Sequence, residues 1–466
     1  MERRGGLTEG NVFAAIIRFS MPFLMSNILQ ALYGASDLFM VGHFSDSAGV
    51  SAAATGGQIM QMITGLAIGL TTGGTVVVAR HFGERSSRAT AGAAVTSLAL
   101  FAFLSLFFTA GVLAYVEPVC RMMRVPGEAL AVTKEYLGIC ACGIVFIVCF
   151  NAVSGILRGL GDSRTPLFFM MAACGINVST DLLFVGWFRM GAPGAAISTV
   201  IAQGASLALA FVYLVRKGYV GKLMRGRPAV SLGEAAHILK IGIPVALQDG
   251  LVNLSFLIIT AIINGMGVTA SAAVGVVEKL IVFSMLPATA FASAVAVAAA
   301  QNYGAGMPQR ARRCLCTGIL LSLLFGTGFF VCSQLDATGL MGLFTSDQEV
   351  IAAGAGYLKT YSPDCILVSF VFCMNAYFSG SDRPLFPLLH SLASTFVVRI
   401  PFSFLLSRKS AVLAPVGAAA PAATLFSLAL CCFYLSAEYR SPCRNTGRLS
   451  GSEKRGNRSR RRQWGV

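Results

Sequence analysis

Asp37 and Asp181 stand where acidic side chains are costly. Asp37 falls within the apolar run around Leu32–Met40, and Asp181 within the run around Asn177–Leu182. An ionisable group in hydrocarbon must be paired or hydrated, so such residues mark ion or substrate pathways. Asn177 lies four residues before Asp181 and shares its helix face. Asn151 and Thr199 sit in two further apolar runs. Together these side chains offer two carboxylates, two amides and a hydroxyl. Such a set can hold a proton, or a sodium ion through the oxygens of Asp37, Asn177 and Asp181. Two adjacent carboxylates in a low dielectric cannot both stay charged, which favours capture of a cation between them.

The elements that position these residues are long and apolar. The chain has 466 residues, 55% hydrophobic and only 12% charged, against roughly 25% charged in a soluble domain. Its mean hydropathy is +0.72. A soluble enzyme, a disordered chain and a collagen-like chain are excluded by this pattern. A membrane helix needs about 20 mostly apolar residues. Runs of that kind fall at 14–40, 50–79, 91–116, 134–157, 166–188, 192–215, 238–264, 270–300, 314–334, 355–379, 385–407 and 411–437. Alternating apolar and polar residues with frequent turns are absent, which disfavours a β-barrel. The first run is read as a retained helix, not a cleaved leader.

Lys and Arg fix the orientation. Arg80, Arg85, Arg88, Arg158, Arg164, Arg216, Lys217, Arg310, Arg312, Arg313 and Arg383 fall in loops on one side. Few cations fall on the other. With an even number of spans, both termini are expected on the cytoplasmic side of the inner or plasma membrane.

Features recur at one offset. Arg18–Pro22 matches Lys240–Pro244, Ala79–Gly83 matches Ala300–Gly304, Pro166 matches Pro387, and Ala192–Ala196 matches Ala414–Ala418. The separations are 222, 221, 221 and 222 residues. The reading is an all-α membrane protein of about twelve transmembrane helices in two pseudo-symmetric six-helix bundles. Six helices per copy make the repeats parallel, as in transporters that rock about a central cleft. The expected division is 1–215 for the first lobe, 216–236 for a basic cytoplasmic linker, 237–437 for the second lobe and 438–466 for a basic, disordered cytoplasmic tail.

The second half lacks the acidic pair, since Asp37 maps to Ile259 and Asp181 to Phe402. It carries Gln248, Asp249, Glu278 and, deep in the eleventh run, Arg399–Ile400–Pro401. A buried Arg needs an acidic or carbonyl partner. The asymmetry places ion coupling in the first bundle and gives the second the task of shaping the cleft. The thirteen cysteines lie mostly inside apolar runs without a Cys-x-x-Cys pair, where they act as small hydrophobes. His43, His81, His237 and His390 match no metal-ligand spacing. The glycine-rich pieces near Gly155 and Gly304 lack the following Lys-Ser/Thr of a phosphate loop. Enzyme chemistry and nucleotide-driven pumping have no support, so the driving force is expected to be an ion gradient.

These residues resemble the multidrug and toxic compound extrusion (MATE) family over about 12–437. In the first half the resemblance rests on Pro22 with Asp37, on Arg158–Pro166, on Asn177 and Asp181, and on Gly191–Ala196. In the second it rests on Gly242–Gln248, Gln301–Gly306 with Arg310, and Arg399–Pro401. It implies a cation-coupled antiporter exporting amphipathic organic cations by alternating access. Coupling by H+ or Na+ would use Asp37, Asn151, Asn177, Asp181 and Thr199. Gln30, Tyr33, Gln248, Asp249 and Glu278 are candidates for the substrate cavity. Pro22, Pro244, Arg399 and Pro401 are structural motif residues. No cofactor beyond the coupling ion is implied, and small organic cations and membrane lipids are the expected partners. Val252 occupies the position where one branch of the family carries a glutamate. A flippase for a lipid-linked precursor, from the same broad superfamily, is the alternative; the acidic character of the embedded charge disfavours it. A channel or receptor is disfavoured by the two-lobe repeat. The net charge of +16 lies largely in the tail and the cytoplasmic loops, so lipid contact, not nucleic-acid binding, is expected of it.

Overall fold

The computed structural model describes residues 6–123, 125–218, 230–409 and 412–440. The central part of the expected linker and nearly all of the expected tail lie outside them. Six long helices form the first bundle: α1 (Val12–Phe44), α2 (Ser47–Gly83), α3 (Ser87–Met122), α4 (Gly127–Gly159), α5 (Arg164–Asp181) and α6 (Gly191–Arg216). The second bundle contains α7 (Leu232–Asn264), α8 (Val268–Gly304) and α9 (Pro308–Leu335), then the short α10 (Ala337–Gly342). It ends with α11 (Gln348–Tyr361), α12 (Pro363–Gly380), α13 (Leu385–Ala393), α14 (Ile400–Lys409) and α15 (Ala419–Arg440). Among the described residues, twelve helical stretches are long and apolar enough to cross a membrane. Two expected boundaries change. The run at 355–379 is part of a longer element interrupted at Ser362–Pro363, because proline cannot donate into the preceding turn. Residues 232–236 of the expected linker are already the first turns of α7.

Polar residues cap these apolar rods. Asn11 accepts from Phe13 N at 2.8 Å, Asp46 from Gly49 N at 2.8 Å and Ser231 from Glu234 N at 3.4 Å. Each satisfies an otherwise orphaned backbone donor. Large apolar side chains such as Phe39, Phe103, Phe107 and Trp187 remain exposed. That is the surface of a helix bundle whose solvent is lipid, where backbone polar groups are satisfied within each helix. Two wide π-helical turns interrupt the regular pattern, Leu182–Trp187 directly after Asp181 and Ser394–Arg399 between α13 and α14. Such turns occur frequently at functional sites.

The bundles meet through α1, α2, α7 and α8, pairing α1 with α8 and, equivalently, α2 with α7. Small residues allow backbone contact, as is usual between membrane helices. Gly69 lies against Ala246 and Gly73 against Ile238 and Gly242. A Cβ on Gly83 would strike the Gln301 carbonyl, and one on Gly304 would strike the Arg80 carbonyl. Residues 80 and 301, like 83 and 304, are 221 apart. The crossing is therefore its own mirror under the sequence repeat, which places the pseudo-two-fold axis between α2 and α8. The end of the molecule at this crossing also carries the turns with Arg85, Arg164, Arg310 and Arg383; it is called the basic end below.

Candidate functional site

Helices α1, α5 and α6 bring together four of the five residues expected to form a cation site. Thr199 on α6 donates from Oγ1 to Asp37 Oδ2 at 3.0 Å. Tyr33, one turn before Asp37, donates to the Thr199 carbonyl at 3.4 Å. Asn177 and Asp181 on α5 lie against Asp37. Both are fully buried. Five polar atoms here have no hydrogen-bond partner: Asp37 Oδ1, Asn177 Oδ1 and Nδ2, and both oxygens of Asp181. Buried polar atoms are nearly always paired, and an unpaired buried charge is far more costly than an unpaired neutral group. Oxygen donors of this kind are what a hard cation or a shared proton takes.

Asn151 does not join this group. Its Nδ2 donates to Ile147 O at 2.9 Å, one turn back on α4. Among the described residues no hydrogen bond links it to Asp37, Asn177, Asp181 or Thr199. It lies about two turns from the basic end of α4, whereas Asp37 lies about two turns from the opposite end of α1.

The expected cavity residues divide into three sets. Gln30 and Asp249 are exposed and Gln248 is half-buried, all near the midpoints of α1 and α7. Asn253, one turn beyond Asp249, donates to the Asp249 carbonyl at 3.0 Å and is also exposed. A mid-helix carboxylate cannot face lipid uncompensated, so an exposed Asp249 needs water or a polar partner at this depth. Between the bundles, Asn27 donates to Thr289 Oγ1 at 3.3 Å. Tyr33 is buried against Thr199 instead of lining the cleft. Glu278 accepts from Thr260 at 3.1 Å within the second bundle, where Arg399 lies over the Phe256 ring at 4.4 Å. Where an acidic or carbonyl partner was expected, Arg399 rests on an aromatic face, and no ion pair joins it to a carboxylate among the described residues. Pro22 and Pro244 lie inside α1 and α7, and Pro401 follows the second π-helical turn.

A second group of polar contacts lies at the basic end. Gln301 accepts from Leu7 N at 2.9 Å and donates to Gly159 O at 2.8 Å. Arg310 donates to the carbonyls of Leu7 and Glu9, so the segment before α1 is strapped across both bundles. Arg80 and His237 both reach Asp382, at 3.4 and 2.9 Å, and His81 reaches Glu234 at 3.3 Å. Sequence reading missed Asp382 and the two histidines. The only signal was the resemblance of Gly380–Arg383 to Gly159–Arg164.

Twelve candidate membrane helices among the described residues, in two bundles with an unsatisfied carboxylate pocket between α1 and α5, are the frame of a multi-pass membrane transport protein. The chain belongs to the MatE family: that family model matches residues 22–183 and again 244–405. The two matched segments begin and end 222 residues apart. Among its relatives, the probable multidrug resistance protein YpnP of Bacillus subtilis is 29% identical over 400 residues, covering 86% of this chain and 89% of that protein. The probable multidrug resistance protein NorM of Thermotoga maritima is 25% identical, covering 84% and 85%. The multidrug export protein MepA of Staphylococcus aureus is 23% identical, covering 80% and 83%. An outward-facing multidrug resistance MATE family transporter shares the fold with a TM-score of 0.86 at 23% identity, covering 92% and 97%.

Proposed function

We propose that this protein is an antiporter that expels amphipathic organic cations in exchange for H+ or Na+ bound at Asp37, Asn177, Asp181 and Thr199. The observation that carries the reading is the set of five unpartnered polar atoms where α1 meets α5. A resident cation or proton would satisfy them, and its departure would leave two facing carboxylates. The energy difference between loaded and empty pockets can bias one arrangement of the lobes over another, which coupling requires. The contacts joining the bundles run from the helix midpoints to the basic end, and the polar residues Gln30, Asp249 and Asn253 lie at or beyond the midpoints. This supports a cleft closed at the basic end and open opposite it. By the distribution of Lys and Arg, the basic end is cytoplasmic, in the cell membrane. Asp249 supplies negative charge to the cleft for a cationic substrate, with the apolar α1 and α7 faces taking its hydrophobic part. The similarity to relatives named for multidrug resistance and export supports the same reading.

The test is efflux of a fluorescent organic cation from proteoliposomes, with pH and sodium gradients imposed separately. One gradient should drive efflux by the parent protein. Asp37→Asn and Asp181→Asn should each abolish that dependence; unchanged gradient-driven efflux in both would rule out this coupling site.

A further inference from the structure

The second bundle contains a buried charged cluster that the coupling pocket does not use. Asp364, at the start of α12, is 3% exposed and its Oδ1 has no partner. Tyr361, at the end of α11, is 2% exposed and its hydroxyl has no partner. Arg399, closing the π-helical turn, lies within electrostatic reach of Asp364, Glu278, Tyr357 and Tyr361. No ion pair joins its guanidinium to either carboxylate among the described residues, and its Nε is unpartnered. It rests instead on Phe256 of α7, a cation–π contact. Thr260 and Thr424 add hydroxyls beside Glu278 and Asp364.

The position of this cluster is informative. Under the repeat offset, Asp37 maps to Ile259, and Thr260 is the next residue. Asp181 maps to Phe402, and Arg399 is one turn earlier. Thr199 maps to Pro421 by the 222-residue offset of that helix, and Thr424 is one turn later. Thr260, Arg399 and Thr424 therefore stand near the second bundle's equivalent of the cation pocket, while Glu278 and Asp364 reach it from the equivalents of Gly57 and Gly143 on α2 and α4. Both pockets have two carboxylates and hydroxyl donors. They differ in that the second has a guanidinium covalently attached to its wall. Arginine stays charged under all physiological conditions, so it cannot leave as a proton or sodium ion does.

We propose that Arg399 is a tethered cation. It takes in the second bundle the part that an exchangeable ion takes in the first, so only the first bundle loads from solution. The pseudo-symmetric scaffold then has one mobile ion site and one permanently compensated site, which fixes coupling to a single lobe. This rests on the reading of Asp37 and Asp181 as the exchangeable site.

The experiment uses full-length protein in a D37N/D181N background, where the first pocket is neutral. It measures 22Na+ binding at equilibrium and the pH dependence of the infrared carboxylic-acid band. Neither signal should contain a component removed by E278Q plus D364N. Adding R399Q should create such a component, as saturable 22Na+ binding or as a titrating carboxyl band, and E278Q plus D364N should then abolish it. R399K should behave as the parent. The proposal is overturned if Glu278 or Asp364 already exchanges a cation with Arg399 in place, or if R399Q gains neither signal. The first comparison leaves Arg399 intact, so it decides the matter even where R399Q fails to fold. Failure of the first-bundle reading is separate: it appears as gradient-driven efflux that survives D37N/D181N.

Discussion

A single hydroxyl defines the geometry of the first pocket. Thr199 Oγ1 donates to Asp37 Oδ2 while its own carbonyl receives Tyr33. A hydrogen bond to a charged group contributes about 1.5–3 kcal/mol, which corresponds to roughly 10- to 150-fold in affinity. Thr199→Val keeps the shape of the side chain and removes the donor. The donor favours the ionised Asp37, so its loss should make the site take up a proton more tightly by about that factor, whereas Na+, which binds the ionised form, should gain no affinity. The measurement is the ion concentration for half-maximal efflux. Asp37, Asn177 and Asp181 were legible in the sequence because a carboxylate or amide in an apolar run is conspicuous by cost alone. Asp364 escaped although it falls inside the run expected at 355–379, because Tyr361, Ser362 and Pro363 beside it make that stretch the least apolar part of the run. Only the three-dimensional arrangement brings it to Arg399. Asn151 shows the converse error: residue type alone does not say at which depth along its helix an amide lies.

Among the elements, the crossing of α2 and α8 is the part most constrained by backbone approach. Gly83 and Gly304 each lie on a carbonyl of the other helix, Gln301 and Arg80 respectively. A methyl group at either position must displace a backbone, not a flexible side chain. Gly83→Ala or Gly304→Ala should therefore separate the bundles at the basic end, at a cost of about 1–3 kcal/mol for overpacking. Because the contacts are related by the repeat, the two variants should show similar effects. The check is alkylation of a cysteine introduced at Leu7, which is buried within the strap; faster labelling in both variants is the expected outcome. The Gly-to-Gly correspondence was visible in the sequence as part of the repeat near residues 83 and 304. That the two glycines meet one another's helices was not, because a repeat offset fixes equivalence and not which equivalent elements touch.

For the whole molecule, the basic end behaves as a closure held by charge as well as by packing. Asp382 joins Arg80 of the first bundle to His237 of the second, and its φ of 68° presents it from a tight turn. Burial alone would raise its carboxyl, but the His237 hydrogen bond and the charges of His237, Arg80 and Lys240 outweigh this and hold it below the usual carboxylate range. A depressed pKa contributes stability that is present above the free value, about 3.9 for Asp, and is lost only as pH falls through the lowered value. Between about pH 8 and about pH 5, Asp382 therefore keeps its charge, and acidification over that range should not loosen its share of the closure. Asp382→Asn removes the charge at every pH. With about 0.2–1 kcal/mol for each partly exposed pair, the open population at the basic end should rise by roughly two- to thirty-fold. Spin labels at Arg88 and Gln309, both exposed and on opposite bundles, report this as a longer inter-label distance in a cysteine-free background. The longer-distance population should be larger in Asp382→Asn than in the parent at both pH values, and a parent that opens on mild acidification would contradict the role assigned to this carboxylate. On the coupling proposed above, closure that holds through a pH change at this end leaves the ion at Asp37 and Asp181, and not protonation of the gate, to decide when the lobes part.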